Sequence, residues 1–323
     1  MSQSDSTAPD SAAPPPAPSD AWPTLRADAW ADTRDTLHMW TQIIGKVRME
    51  QSPMLNHWWQ VPLYVTARGL STSAFANGSH LVDIEFDFVE HELRARSTDG
   101  RSSSVSLAPK SVAQFYDEAL AALARIGLDA HISTVPNEVE NQVPYPQDEH
   151  HASYDAGAVE TFWRQLVAAH QVMSEFRSPF IGKASPVNFF WGGFDMVVTV
   201  FSGRPAPTWT GTPLNVPASV MAEAESHQNS NAGFWPGGGE EGQFYAYSYP
   251  EPPGYADQPV EPAGAHYDHS AGEFLLPYAA VRDAPDPAAA LLAFYDSTYR
   301  AAADLADWDR QALETTWPDE PRL

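Results

Sequence analysis

The densest chemistry in the sequence lies in HMWTQIIGKVRMEQSPMLNHWWQVPLYVT, residues 38 to 66. His38, Gln42 and Lys46 recur at every fourth position, so a helix carries them on one face, with Arg48 on the same half. Asn56 and His57 open the next segment, and Trp58 and Trp59 follow directly. Lys and Arg beside aromatic walls can hold a polar or anionic ligand. The commoner meaning of such a pattern is a solvated helix face, with Asn56 tying its turn and the Trp side chains in the core.

Three further stretches carry chemistry-bearing residue types. In HYDHSAGEF, His266, Asp268, His269 and Glu273 have the nitrogen and oxygen donors that Zn, Mn or Fe accept, and a divalent metal is the cofactor they would imply. Their spacing matches no familiar metal motif, and a polar surface loop is the plainer reading; DEHHASYD, with Glu149, His150 and His151, reads the same way, Asp155 being a helix cap. In ESHQNSNAGFWPG, His227 and Trp235 could belong to a lid over a pocket, or Trp235 could simply anchor a long loop. Asp83, Glu85 and Asp87 alternate along one strand face, which suits acid–base work or Ca binding but more commonly marks a solvated face that blocks aggregation.

Composition excludes several functions. The net charge of −24, with no basic cluster, argues against nucleic acid and against anionic membrane surfaces as partners. The absence of Cys removes thiolate nucleophiles, thiolate metal sites and disulfides. No phosphate-binding glycine loop, nucleophile elbow or zinc-protease motif is present, and FWPGGGEEG neither follows a clear strand nor opens a helix. The start of the chain lacks the features of a signal peptide, and no apolar run approaches the roughly 20 residues of a membrane span, so a cytoplasmic location is expected.

The elements that must position these residues follow from periodicity. Residues 1–21, rich in Pro, Ala, Ser and Asp, read as a disordered tail. A helix is expected from about Thr24 to Gln51, with Leu37, Met39, Trp40, Ile43, Ile44 and Val47 on its apolar half. Gly45 on the polar half costs about 1 kcal/mol relative to Ala, which implies that something packs closely against it. Strands are expected at 58–66, 80–88, 91–97 and 102–107, a helix at 111–127, and a Pro-containing connector at 128–154 with a short strand at His131–Val135. The second half repeats the order: a helix at 155–176, a strand at 194–203, a long loop at 204–241, strands at 243–252 and 272–278, and a helix at 287–309.

The two halves also share words. PMLNHWWQVPLYVT matches SPVNFFWGGFDMVVT, which sets Asn56 against Asn188 and Trp59 against Trp191; WTQIIG matches WRQLVA, and VAQFYDEAL matches LLAFYDSTY. The expected fold is therefore α+β, with two similar helix, antiparallel-strand, helix halves (22–127 and 155–308) forming one pseudo-twofold module over 22–310, followed by an extension at 311–323.

HMWTQIIGKVR, NHWWQVPLYVTARGLSTS, VNFFWGGFDMVVTVFSGR, AGFWPG and GEFLLPY together resemble an uncharacterised bacterial family, domain of unknown function 5996, over roughly residues 22 to 308. The resemblance implies a bacterial, cytoplasmic, single-module protein and brings no reaction or catalytic residue with it. Two readings stay open. In one, His38, Gln42, Lys46, Arg48, Asn56, His57, Trp59, Asn188, Trp191, His227 and Trp235 contribute to an aromatic-lined pocket that binds, and hydrolyses, a small polar or anionic metabolite. In the other, the protein is a non-catalytic interaction module. A cavity joining His38, His57 and the second-half aromatics would favour the first; Trp58, Trp59, Phe190 and Trp191 packed in a core, with dispersed His, would favour the second. Oligomeric state is left undecided by the sequence.

Overall fold

The computed structural model describes residues 21–212 and 214–317, so the tail expected at 1–21 and the end of the extension expected at 311–323 lie almost wholly outside the described residues. The fold is α+β with two antiparallel sheets. Helix α1 (Ala31–Gln51) leads into a single 3-10 turn at Asn56–Trp58. The first sheet comprises β1 (Tyr64–Val65), β2 (Gly69–Ser71), β3 (Phe75–Asn77), β4 (His80–Asp87), β5 (Glu92–Ser97) and β6 (Ser102–Ser106), in the order β1-β2-β4-β5-β6 with β3 also on β4. Helix α2 (Val112–Arg125) and a long connector precede α3 (Ala156–Arg177). The second sheet comprises β7 (Asn188–Phe190), β8 (Asp195–Pro205), β9 (His227–Trp235), β10 (Gln243–Tyr249), β11 (His266–Asp268) and β12 (Glu273–Pro277), in the order β11-β12-β10-β9-β8-β7. Helix α4 (Ala218–Ala224) lies between β8 and β9, and α5 (Tyr278–Arg282), α6 (Pro287–Leu305) and α7 (Arg310–Leu313) close the chain. The sheets touch edge to edge, where Leu63 and Phe189 exchange backbone hydrogen bonds of 2.9 and 2.8 Å.

Alternation sets the faces. In β4, Val82, Ile84 and Phe86 point into the core, where Phe86 stacks on Phe115 and Phe115 on Trp40. In the second sheet, Met196, Val198, Val200, Ala232, Phe234, Phe244, Ala246 and Leu276 form the apolar face. Phe244 packs there against Tyr278 and Tyr295, and Tyr295 Oη donates to the Gly233 carbonyl at 2.9 Å. The opposite face carries Asp195, Thr199, Asn229, Asn231, Tyr245 and Tyr247, all of which line one cavity.

Several expected elements differ. The helix starts at Ala31 instead of Thr24, residues 58–66 yield only the two-residue β1 after a turn, and the connector forms no strand at His131–Val135. The loop expected over 204–241 contains α4 and the full length of β9, a central strand. HQNSNAGFW lacks the usual apolar alternation because its outward residues, Asn229 and Asn231, face polar partners and not core. The acidic face of β4 is also not simply solvated: Glu85 and Asp87 are buried and held by arginines.

Candidate functional site

The polar face of α1 turns inward. His38 Nε2 donates to the Gly192 carbonyl at 2.8 Å and lies 3.0 Å from Gln42 Nε2. Gln42, fully buried, receives the Asn137 N–H at Oε1 and donates from Nε2 to the Asn137 carbonyl, both at 2.8 Å, while Tyr145 Oη donates to the same Oε1 at 3.0 Å. Lys46 donates to the carbonyls of Val135 and Ser133. These three residues, one helical turn apart, thus grip the backbone of 133–138 and the diglycine turn at 192–193. Burial lowers the His38 pKa to about 4 and that of Lys46 to about 8, so His38 is neutral at physiological pH. Gly45 shares this face because the Trp191 indole occupies the place of its missing Cβ, and Trp191 Nε1 donates to the Val61 carbonyl at 2.9 Å.

What these grips enclose is a cavity of about 800 Å³. Trp58, Trp59, Phe190, Trp191 and Phe201 wall it, the outward face of β8, β9 and β10 floors it, and α4 with Val216 and Pro217 roofs it. The roof is held by the NHWW corner. Trp58 Nε1 donates to the Val220 carbonyl at 3.0 Å, His57 Nδ1 bonds the Ala224 carbonyl at 2.9 Å, and the His57 N–H bonds Glu223. His57 and Trp58 both adopt positive φ, 56° and 59°, a left-handed pair that non-glycine residues avoid unless tertiary contacts enforce it. With Nδ1–H donating to Ala224, His57 Nε2 is the acceptor of the Lys183 ammonium at 2.6 Å, and burial lowers the pKa of both groups.

The floor carries the carboxylates. Asp195 accepts from Tyr245 Oη; burial raises its pKa to about 6 against the smaller opposing effect of that hydrogen bond. Glu225 accepts from Asn229 Nδ2 at 2.6 Å and Tyr247 Oη at 3.3 Å, and burial raises it too. Asn229 Oδ1 accepts from Asn231 Nδ2, whose Oδ1 accepts from Thr199, which completes a polar chain across the sheet. Glu138 reaches in from the gripped loop with φ 55°. Its carboxyl rests where a side chain on Gly192 would be, and at the place of a Cβ on Gly193 it converges with Asp195, at 3.4 and 2.9 Å respectively. Glu138 stays exposed to solvent, but its packing against the turn and then the charge of Asp195 push its carboxyl upward. The missing side chains of Gly192 and Gly193 are therefore what makes room for the two carboxylates.

Of the residues singled out in the sequence, Lys46, His57, Trp59 and Trp191 line the cavity, while His38 and Gln42 lie behind it as supports. Arg48 is buried over the Tyr64 ring and outside the cavity, and Asn56 is exposed on the turn. Asn188 is completely buried on β7, facing the same side of the sheet as Val197. His227 touches the His57 ring from outside the cavity, and Trp235 is exposed at the far end of β9. His266 and His269 are exposed on the β11–β12 hairpin, where Asp268 spends its Oδ1 on the turn amides of Ser270 and Ala271. Among the described residues no group of three or more His, Asp or Glu is arranged to hold a metal ion, so the hairpin does not form the expected metal set. Glu138, Asp195, Glu225, Tyr245 and Tyr247 escaped sequence reasoning. The signal available for the tyrosines was the two-residue period of QFYAYSY, in which hydroxyl-bearing rings replace the charged residues of an ordinary solvated face.

A family model described as a family of unknown function, DUF5996, matches residues 22–315. The chain belongs to that family. No curated protein matches the chain. No solved structure matches it. The DUF5996 module thus contains both sheets, the cavity and its roof, and no helix among the described residues is long and apolar enough to cross a membrane.

Proposed function

We propose that this DUF5996 protein is a small-molecule enzyme whose substrate occupies the aromatic-walled cavity and undergoes carboxylate acid–base chemistry, hydrolysis being the reaction class. The observation that carries the reading is the convergence of Glu138 and Asp195 over Gly193, both with pKa values raised toward neutrality, inside a cavity of about 800 Å³. A general acid or base works best when its pKa lies near the operating pH, and cavities of this size with a few convergent polar groups are typical of ligand sites. The charge of Asp195 favours the protonated form of Glu138, so Glu138 can hold a proton while Asp195 is ionised. One can then protonate a leaving group while the other activates water.

The sequence reading included anionic ligands. The cavity argues against them: Glu50, Glu138, Asp195 and Glu225 line it, while the ammonium of Lys46 is committed to backbone carbonyls. The alternative of a non-catalytic interaction module rests on exposed rings such as Trp235 and Trp317, but the corner aromatics on which that reading depended line the cavity instead. The two-repeat reading also belongs here. The edge contact between Leu63 and Phe189 joins the segments whose words match, which supports two related halves, although Asn56 and Asn188 sit in different surroundings. A cytoplasmic, bacterial setting remains part of the proposal.

The test is native mass spectrometry and thermal shift of the full chain before and after incubation with a bacterial metabolite extract. A bound mass that stabilises the chain, and is lost in Glu138→Gln and Asp195→Asn variants that remain folded, is the expected result. An extract that leaves mass and melting temperature unchanged, or a bound mass indifferent to both substitutions, would overturn the reading.

A further inference from the structure

We infer that the cavity takes a ligand bearing a positively charged nitrogen, an amine or guanidinium group, seated among Glu138, Asp195 and Glu225 and walled by aromatic rings. This deepens the pocket reading above and rests on it.

The first argument is charge compensation. Among the described residues none of these three carboxylates forms an ion pair, although arginines elsewhere in the molecule pair with acidic residues throughout. Their partners are neutral: Tyr245 for Asp195, and Asn229 with Tyr247 for Glu225. Glu225 is buried and Asp195 half-buried, and carboxylates so withdrawn from water without a countercharge are costly; a ligand cation supplies what the chain omits, with the exposed Glu138 adding its charge beside Asp195. Among the described residues, the two lysines nearest the cavity are engaged elsewhere. Lys46 is tied to the carbonyls of Ser133 and Val135, and Lys183 faces His57.

The second argument is the chemistry of the walls. Indole and phenol faces attract cations, more so when water is excluded. The corner already accepts one: the Lys183 ammonium lies 5.4 Å from the Trp59 ring centre and 4.9 Å from that of Phe201, both cavity-wall residues. A second such group can sit on the cavity side of the same aromatic wall.

An unpartnered polar group also lies under the floor. Asn188 is wholly buried, yet neither its Oδ1 nor its Nδ2 has a hydrogen-bond partner. Its ladder partner is Val197, and Phe190 two residues on pairs with Asp195; all three of those residues line the cavity, so Asn188 leaves the sheet on that side. Asn188 itself is not among the lining residues, so it marks an unsatisfied amide behind the cavity wall and makes no contact with the space in front of it. A neutral polyol would suit the rings but would leave the carboxylates uncompensated.

The experiment is calorimetric titration of the full chain at mildly alkaline pH with cations (putrescine, agmatine, choline), neutral molecules (glucose, glycerol) and anions (inorganic phosphate, citrate). The expected result is binding of at least one cation more than tenfold tighter than any neutral or anionic probe. Asp195→Asn and Glu225→Gln, isosteric and checked by Trp fluorescence for intact packing, should each weaken that binding by about tenfold or more, as expected for removing one member of a desolvated charge pair. Cation binding indifferent to both substitutions would be attraction to the acidic surface and would overturn the inference. Preference for a neutral or anionic probe, lost in Asp195→Asn, would also overturn it while leaving the pocket reading intact. Binding of no probe in any class would count against both.

Discussion

The two sheets treat the same residue type in opposite ways. On the first, Asp87 is completely buried and bonded to Arg68 at 2.6 Å and Arg94 at 3.3 Å, while Glu85 meets Arg96 at 2.7 Å. Burial alone pushes the Asp87 carboxyl up, yet Arg68 and the amides of Glu90 and Val89 pull it net below its ordinary value. On the second, Asp195 is half-buried and meets only a tyrosine hydroxyl, and its pKa rises to about 6. The first arrangement is complete without a ligand; the second is complete only with a proton or a cation. Acidic residues on a strand are therefore not diagnostic of a site. The absence of arginines opposite them is the informative feature.

This contrast can be broken or sharpened by substitution. The largest effect is expected at the compensated sheet: Asp87→Ala removes the anchor of two arginines and of the β4–β5 turn and should cost about 3 kcal/mol in urea unfolding. A cost near zero would mean that this pairing is mere surface decoration. Gln42→Ala should cost about 2 kcal/mol, because it leaves the Asn137 backbone and the buried Tyr145 hydroxyl without partners. It should also weaken ligand binding through Glu138. A stability loss without a binding change would assign Gln42 to folding alone. Gly45→Ala gains helix propensity but forces the Trp191 ring to move, and a net loss of about 1 kcal/mol is expected, read as a lowered Tm.

The smallest and most telling change runs in the opposite direction. A carboxyl whose folded pKa is raised makes the folded state bind the extra proton between the ordinary value of 3.8 and about 6, so its contribution to stability falls as pH rises through that window. Asp195→Asn removes this loss. The variant should therefore gain on the wild type as pH rises from about 4 past 6, melting a few degrees higher at neutral pH while binding ligand worse. A variant that melts lower at neutral pH than the wild type would show Asp195 to be compensated after all.

Much of the frame was readable from the chain. The alternation of HLVDIEFDF gave β4, the heptad-like spacing of Leu37, Trp40, Ile44 and Val47 gave the buried face of α1, and Asp155 caps α3 through the Ala158 N–H. Gly45 announced a close neighbour, and Trp191 is that neighbour. Of the polar residues in the corner His38–Trp59, His38 and Gln42 are spent on the chain's own backbone, while Lys46, His57 and Trp59 line the cavity. Hydrogen-bonding residue types reveal that a group will be bonded, and not whether its partner is a ligand or the chain's own backbone.

Local sequence determined the elements with a clear apolar period, such as α1 and β4, because that period is written into neighbouring residues. It also determined the family and the overall acidity. Only the tertiary structure decided that HQNSNAGFW is a central strand, since its polar alternation makes sense only with β8 and β10 on either side. Only it decided which carboxylates stand unpaired. Glu138, Asp195 and Glu225 lie far apart along the chain, and burial and countercharge, which set what a carboxyl can do, are properties of the assembled surroundings and not of any one segment.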